Sequence, residues 1–185
     1  EAIGRKLVRR GAALVIRERI PPAEGTACVD ARRPGPVEGR EEPRAAPVIE
    51  PANLRPGLSL SGQGLKGEYF ANRDCAGEPS FTRVDARVAF RWDRGGPLDV
   101  LVARGELPAA RAVPSDNFCV RWTGLLVPPV TGRYEITVGA NDGFRLVLDG
   151  RQLVDNWTIN PRMQSVTAAV DLEAGRAVDL RLDYL

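Results

Sequence analysis

The feature that most constrains the fold is a pair of short apolar segments joined by an acidic-glycine turn. Residues 144–148 (FRLVL) alternate and are rich in strand-forming side chains, and residues 152–154 begin a return segment. Asp149-Gly150 between them is a strong signal for a two-residue hairpin turn. This stretch therefore predicts two neighbouring antiparallel strands.

The same pattern of short apolar strand-forming segments continues over most of the chain from Leu58 onward. Short strands at roughly ten-residue spacing, without a helix longer than about two turns, favour a β-sandwich or barrel. We expect the strand at 118–122 to end at Thr123-Gly124, and a turn at 173–175 to separate the last two strands. The predicted strands, besides the hairpin, are 68–70, 81–88, 118–122, 133–138, 163–172 and 176–182.

The first 57 residues have a different composition. Residues 21–47 have no hydrophobic period and contain many prolines and glycines, which is typical of a linker. Residues 12–16 (AALVI) fit either one short strand or a helical turn. We therefore assign 1–57 to a Pro- and Arg-rich linker, or a remnant of a preceding domain, and 58–185 to the β domain.

Charge and histidine content exclude several classes of function. The formal net charge of +2 gives no global drive towards nucleic acid or an anionic membrane, and no long uncharged apolar run is present. The absence of histidine excludes a Ser-His-Asp or Cys-His arrangement and any His-ligated metal site within the chain. No pair of acidic residues stands out as a glycosidase pair, so a stand-alone enzyme is disfavoured.

The three cysteines, Cys28, Cys75 and Cys119, have no CxxC spacing. An odd count allows at most one internal disulfide and leaves one thiol over. Because Cys119 alternates into an apolar segment, we expect it to be a small core residue.

Four motifs in a fixed order carry a resemblance to a known family. They are GLKGEYF (64–70), FRW (90–92), DNFCVRWTGLLVPPVTGRYEITV (116–138) and NDGFRLVLDGRQLVDNW (141–157). Together they resemble the protective-antigen-type domain, a β-sandwich module of many secreted glycosidases, adhesins and toxins. The resemblance covers about residues 64–185 and implies an all-β antiparallel sandwich behind a largely irregular N-terminal segment.

Domains of this type usually continue beyond the strand that corresponds to Val178–Tyr184. The resemblance therefore implies that the domain of residues 58–185 lacks its last strand, which would leave an unpaired edge on a neighbouring strand.

The candidate ligand site begins at Asn141 and Asp142. Neighbouring side chains of a strand point to opposite faces, so both can face one ion only if the backbone is bent. The alternative is a plain turn whose side chains bond to their own backbone. In sugar-binding adhesins of the family, two adjacent aspartates joined by a cis peptide hold a calcium ion that coordinates sugar hydroxyls. The resemblance implies that Asn141 and Asp142 are the metal ligands here, with reduced calcium affinity because an amide replaces one carboxylate.

The loop after the hairpin supplies the other candidate ligand residues. Asn156 and Asn160 could offer amide oxygens to the ion or the sugar, or could simply form turns. Trp157 would stack on a pyranose ring if exposed and would close the hairpin if buried. The resemblance favours the buried position for Trp157.

Residues 46–57 (APVIEPANLRPG) resemble the entry into this domain in family-three glycoside hydrolases, which are β-glucosidase-like enzymes. Because the chain shows no signal-peptide pattern, we expect it to be a fragment of a longer protein. The resemblance implies that this longer protein is an extracellular or periplasmic glycoside hydrolase. The expected function is that of a non-catalytic carbohydrate-binding module that recognises glycan hydroxyls with or without calcium. Its expected partners are carbohydrate and the catalytic domain of the same chain. The alternative is a structural or interaction module that shapes a neighbouring catalytic pocket and binds no free sugar.

Overall fold

The computed structural model describes residues 12–18, 50–57, 62–92, 95–97, 99, 102, 105 and 113–185. Cys28 and the proline-rich residues 21–47 lie outside the described part of the chain. Within that part, no helix combines the length and apolar character needed to cross a bilayer.

The described residues form two antiparallel sheets. One contains seven strands, six in the order β4-β3-β5-β10-β7-β8 and short strand β2 paired to β5, and the other has the order β1-β6-β9. The strands are β1 (Ala12–Glu18), β2 (Leu54–Arg55), β3 (Leu65–Phe70), β4 (Phe81–Asp85), β5 (Cys119–Leu126), β6 (Gly132–Ala140), β7 (Phe144–Leu148), β8 (Arg151–Asn156), β9 (Gln164–Leu172) and β10 (Val178–Tyr184).

A hydrophobic core fills the space between the sheets. Strand β6 buries alternate residues, Tyr134, Ile136, Val138 and Ala140, as expected for a strand with one face on the core. Strand β7 alternates in the same way throughout, and β10 does so from Val178 to Leu182. The predicted all-β sandwich is therefore confirmed.

The predicted hairpin is also present, since β7 and β8 are joined at Asp149 and Gly150, which have φ of +51° and +73°. The positive φ of both residues matches the two-residue turn that an Asp-Gly pair favours. Strand β10 has β5 on one side and β7 on the other. Strand β10 is therefore an interior strand of its sheet, and the expected absence of a last strand stays a prediction.

Part of the N-terminal segment belongs to the sandwich. Strand β1 pairs with β6 over seven residues, from Ala12 opposite Ala140 to Glu18 opposite Tyr134. Ala12 and Ile16 are buried in the core. The strand interpretation of residues 12–16 is thus correct, and our division at residue 57 did not anticipate that β1 and β2 complete the two sheets.

Strand β5 extends further than predicted. The sequence pattern placed its end at Thr123-Gly124, but pairing with β10 continues to Leu126. A Cβ atom at Gly124 would lie 2.2 Å from the carbonyl oxygen of Arg55. Gly124 therefore allows β2 to approach β5 closely, and does not mark a turn.

A buried polar network joins β3, β4 and β5. Asp85 accepts hydrogen bonds from the Tyr69 hydroxyl at 2.5 Å and from Trp122 Nε1 at 2.8 Å, and its other oxygen lies 2.6 Å from Arg83 Nε. A Cβ atom at Gly67 would lie 2.4 Å from the Asp85 carboxylate. Burial, with the adjacent Asp85 charge, raises the pKa of Tyr69 well above its usual range.

Candidate functional site

A cavity of about 300 Å³ lies at the end of the sandwich where five chain segments meet. These segments are the β3–β4 loop, the approach to β5, the β6–β7 turn, the β8–β9 loop and the end of β10. Charged, amide and apolar side chains share its wall, a mixture typical of small-ligand sites. The lining residues are Arg73, Asp116, Asn117, Phe118, Asp142, Ile159, Pro161, Tyr184 and Leu185.

Unusual backbone conformations cluster around this cavity. Four non-glycine residues of the described part have positive φ, and one of them, Asp149, is in the hairpin turn. Of the others, Asn117 (+60°) and Asp142 (+64°) line the cavity, and Cys75 (+49°) lies two residues beyond Arg73. Such conformations concentrate at functional sites because the surrounding structure must hold them in place.

Asp142 joins two walls of the cavity. Its backbone N–H donates to the Asn160 carbonyl at 2.7 Å, and its Oδ1 accepts from the Asn160 N–H at 3.1 Å. This reciprocal pair connects the β6–β7 turn to the β8–β9 loop. The carboxylate is thereby held in a defined position beside the cavity.

Asn141 lies in a different environment from its neighbour. It has no exposed surface, whereas Asp142 is half-buried and lines the cavity. The peptide bond between them is trans. The structure thus brings Asp142 to the surface and places the Asn141 side chain in the interior.

The two loop asparagines are engaged locally. The Asn156 side-chain amide donates to Gln164 Oε1, and Asn160 Oδ1 accepts from the Arg162 N–H at 3.0 Å. The latter bond is the turn-forming role that we weighed for Asn160. Asn160 contributes to the site mainly through its backbone, which holds Asp142.

Trp157 is half-buried and does not line the cavity. It packs against a small cluster formed by Phe70, Cys75 and Cys119, and the Arg145 guanidinium carbon lies 4.6 Å from the centre of its ring. Its position is thus intermediate between the exposed and the buried arrangements that we considered.

A disulfide between Cys75 and Cys119 links the β3–β4 loop to the start of β5, with 5.3 Å between the Cα atoms. Cys119 is fully buried, as expected, but its partner could not be assigned because spacing alone does not determine connectivity. The bond lies directly beside Arg73 and the 116–118 segment. Structural disulfides are typical of domains outside the reducing cytosol.

Sequence reasoning missed Arg73 and Asn117 as site residues. Asp116 and Asn117 stand at the start of the motif at 116–138, where no site was predicted, and nothing around Arg73 indicated one. The Asp116-Asn117 pair before a strand containing a cysteine was the available signal, but its significance depends on the disulfide and on the left-handed Asn117 backbone.

The donor set does not fit the calcium site that the family resemblance implies. Calcium takes six to eight oxygen ligands, with affinity that rises with the number of carboxylates. Across the described residues, no group of three or more acidic, Cys or His side chains is arranged to hold a metal. Asn141 is enclosed, the Asn160 side-chain oxygen accepts from the Arg162 N–H, and Arg73 is among the residues that line the same cavity.

Comparisons with known proteins agree with this architecture. The family model of the PA14 domain matches residues 61–185, more than half of the chain. Anti-sigma-I factor RsgI3 of Acetivibrio thermocellus is 32% identical over 127 residues, which cover 67% of this chain and 17% of that protein.

Two solved structures have related folds. An anti-sigma factor domain-containing protein has 30% identity and a TM-score of 0.54, covering 65% of this chain and 37% of the other. A β-glucosidase from Kluyveromyces marxianus has 16% identity and a TM-score of 0.53, covering 74% of this chain and 17% of the enzyme. The β-glucosidase likeness shows the fold alone, so the hydrolase parent that we expected has no support beyond the fold. The chain spans less than two fifths of each of these relatives.

Proposed function

This chain belongs to the PA14 domain family, and from that premise we propose that it is a non-catalytic carbohydrate-binding module whose combining site is the cavity beside Asp142. The observation that carries the proposal is that Arg73, Asp116, Asn117 and Asp142 line one cavity together with apolar Ile159 and Pro161. Carboxylates and amides bond to sugar hydroxyls, while apolar side chains pack on the C–H faces of the ring.

We further propose that the module belongs to a larger anti-sigma-factor-type chain. The support is that relatives of about 30% identity carry that name, while the β-glucosidase is at 16%. A glycoside hydrolase parent is the alternative. The buried disulfide supports a location outside the reducing cytosol, where the module would meet extracellular glycan. Its partners would be carbohydrate and the other domains of its own chain.

Asp142→Asn tests the combining site in the 185-residue chain. Asparagine tolerates the left-handed backbone and keeps the oxygen that accepts from Asn160, so the turn should survive while the charge is lost. We expect glycan affinity, measured by calorimetry after a glycan-array screen, to fall about tenfold, since a charge-assisted hydrogen bond contributes on the order of 1.5–3 kcal/mol.

Asp171→Asn is the matched control, because Asp171 is exposed on β9 near the opposite end of the sandwich. It should bind like the unsubstituted chain. If the folded, unsubstituted chain binds no glycan on the array, the carbohydrate proposal is wrong. The burial of Asn141 would then favour the second candidate function, a structural or interaction module without a free-sugar site.

A further inference from the structure

We infer that two copies of this chain associate through the outer edge of β9, which pairs antiparallel with β9 of the second copy about a two-fold axis at Ala168. The inference goes beyond the proposed function, and its test needs no glycan. It is carried by three observations: the length and regularity of this edge, the protection of the other sheet edges, and the residues that the symmetric register brings opposite each other.

Strand β9 has one paired edge and one open edge within the described part of the chain. It pairs with β6 at all nine of its positions, from Gln164 to Leu172, without a shift in register. It ends the order β1-β6-β9, so no described strand pairs with its other edge. The N–H and C=O groups of such an edge are a template for pairing with another chain.

The opposite edge of the same sheet is covered. Residues 88–90 run along β1, where the Leu14 N–H donates to the Val88 carbonyl at 2.9 Å and the Phe90 N–H donates to the Ala12 carbonyl at 2.8 Å. These bonds occupy backbone groups that would otherwise be available to a second chain. The two edges of this sheet therefore differ in their capacity to pair.

The edges of the larger sheet carry other forms of protection. Strand β4 has only five residues, with the charged Arg83 at its centre. Strand β8 is irregular, because its register with β7 shifts between Leu146 and Val147. Short edge strands, charges and bulges are common means of preventing edge-to-edge association. Strand β9 (QSVTAAVDL) is long and regular and contains no proline, glycine, lysine or arginine.

The symmetric register extends the core on the inner face of β9. Val166, Ala168 and Val170 pack against the core but are only half-buried, whereas the residues of β6 opposite them are buried. In an antiparallel pair of identical strands, each residue lies opposite the one at equal distance beyond the axis. Val166 of each copy therefore lies opposite Val170 of the other, an apolar cross-strand pair that occurs twice. Ala168 lies opposite itself, where its small side chain leaves room at the axis.

The outer face of β9 is compatible with the same register. Ser165 lies opposite Asp171 of the second copy, so its hydroxyl can donate to that carboxylate. Asp171 is the one charged residue of the strand; its side chain is 76% exposed, and it also pairs with Arg133 at 3.4 Å. Thr167 lies opposite Ala169. No like charges are thus placed directly opposite each other, an arrangement that would destabilise the pair.

The antiparallel arrangement determines where the two glycan cavities lie. The Gln164 end of β9 adjoins the β8–β9 loop, which contributes Ile159 and Pro161 to the cavity. In the dimer this end lies beside the Leu172 end of the other copy, so the two cavities are at opposite ends. On the proposed function, such a dimer links two glycan chains.

Sedimentation equilibrium of the 185-residue chain, from micromolar to millimolar concentration, tests the inference. Ser165→Asp would place a carboxylate opposite Asp171 of the second copy, and Ser165→Lys would place an ammonium group there. Ala76→Asp and Ala76→Lys are matched controls, because Ala76 is exposed in the β3–β4 loop and lies outside β9. Hydrogen exchange of the β9 amides at both ends of the concentration range gives an independent readout.

We expect a weak, reversible dimer, because pairing along one strand buries less surface than a permanent interface. Its Kd should rise about tenfold with Ser165→Asp, fall several-fold with Ser165→Lys and stay unchanged with either Ala76 substitution. Exchange of the β9 amides should slow as the concentration rises, while exchange in β8 should not change.

A chain that remains monomeric at millimolar concentration would overturn the inference. A dimer whose Kd responds in the same way to both Ser165 substitutions, or to neither, would also overturn it, because the interface would then lie elsewhere. These results leave the carbohydrate function untouched, since that function is tested by glycan binding alone.

Discussion

Replacement of Asp85 by alanine is expected to be the most destabilising single change in the polar part of the core. Asp85 is 5% exposed, and its carboxylate accepts hydrogen bonds from the Tyr69 hydroxyl at 2.5 Å and Trp122 Nε1 at 2.8 Å and forms an ion pair with Arg83 at 2.6 Å. Asp85→Ala would leave the two donors and the guanidinium charge in place around an empty acceptor position. The cost then comes from buried polar groups that have lost their partner, in addition to the loss of the bonds themselves.

The magnitude follows from the burial of each donor. Breaking a buried ion pair by removing one partner typically costs about 3–5 kcal/mol, and each orphaned buried donor about 1–3 kcal/mol. The Arg83 side chain retains 25% exposure, so water can solvate it in part and the pair should fall short of the upper value. We therefore expect a loss of about 3–5 kcal/mol in total, a large fraction of the roughly 5–15 kcal/mol of a typical domain.

Urea unfolding at neutral pH, followed by tryptophan fluorescence and by circular dichroism, would measure this loss as a shift in Cm at constant m-value. Asp171→Ala is the comparison, because its ion pair with Arg133 spans 3.4 Å between side chains that are more than half exposed, and such pairs contribute less than about 1 kcal/mol. If Asp85→Ala destabilised the chain no more than Asp171→Ala does, the network would not stabilise the fold as argued.

Two further predictions concern the same region. Because the pKa of Tyr69 is raised in the folded state, the unfolded chain loses the Tyr69 proton first above about pH 10, and the free energy of unfolding should decrease from there by up to about 1.4 kcal/mol per pH unit. Tyr69→Phe should flatten this dependence on pH in urea titrations between about pH 9 and 11. Equal slopes in the two proteins would contradict the raised pKa of Tyr69. Replacing Cys75 and Cys119 together by serine opens a loop of 44 residues and should cost about 4 kcal/mol on the chain-entropy estimate. That double variant should also weaken glycan binding, and calorimetry showing unchanged affinity in the folded variant would show that the disulfide does not hold the cavity wall.

Local sequence patterns predicted the strands well where one face is buried. The hairpin is the clearest case, since alternation in β7 and the Asp149-Gly150 turn agree with each other, and both are present in the structure. The errors arose where a residue has a tertiary role that its type does not reveal. Gly124 looked like a strand terminator, but its missing side chain makes room for the Arg55 carbonyl.

The site was less predictable because its wall is assembled from five separate segments. Adjacent Asn141 and Asp142 drew attention to a turn that borders the cavity, but alternation along the chain could not show that only Asp142 would reach the surface. Arg73 comes from a loop that is brought to the site by the disulfide and by the pairing of β3 with β5. Neither contact has a local sequence signature.

The pairing of β3 with β5 connects the stability of the scaffold with the geometry of the site. Phe70 pairs with Cys119 at the cavity end of these strands, while Gly67 pairs with Trp122 beside the Asp85 network. A change in this register would move the Arg73 loop and the 116–118 segment together, because each directly adjoins one of the two strands. On the proposed function, losses of glycan affinity in variants of the Asp85 network are expected to report the position of the cavity wall, whereas only substitutions at the wall itself, such as those at Asp142 and Arg73, are expected to report contact with the sugar.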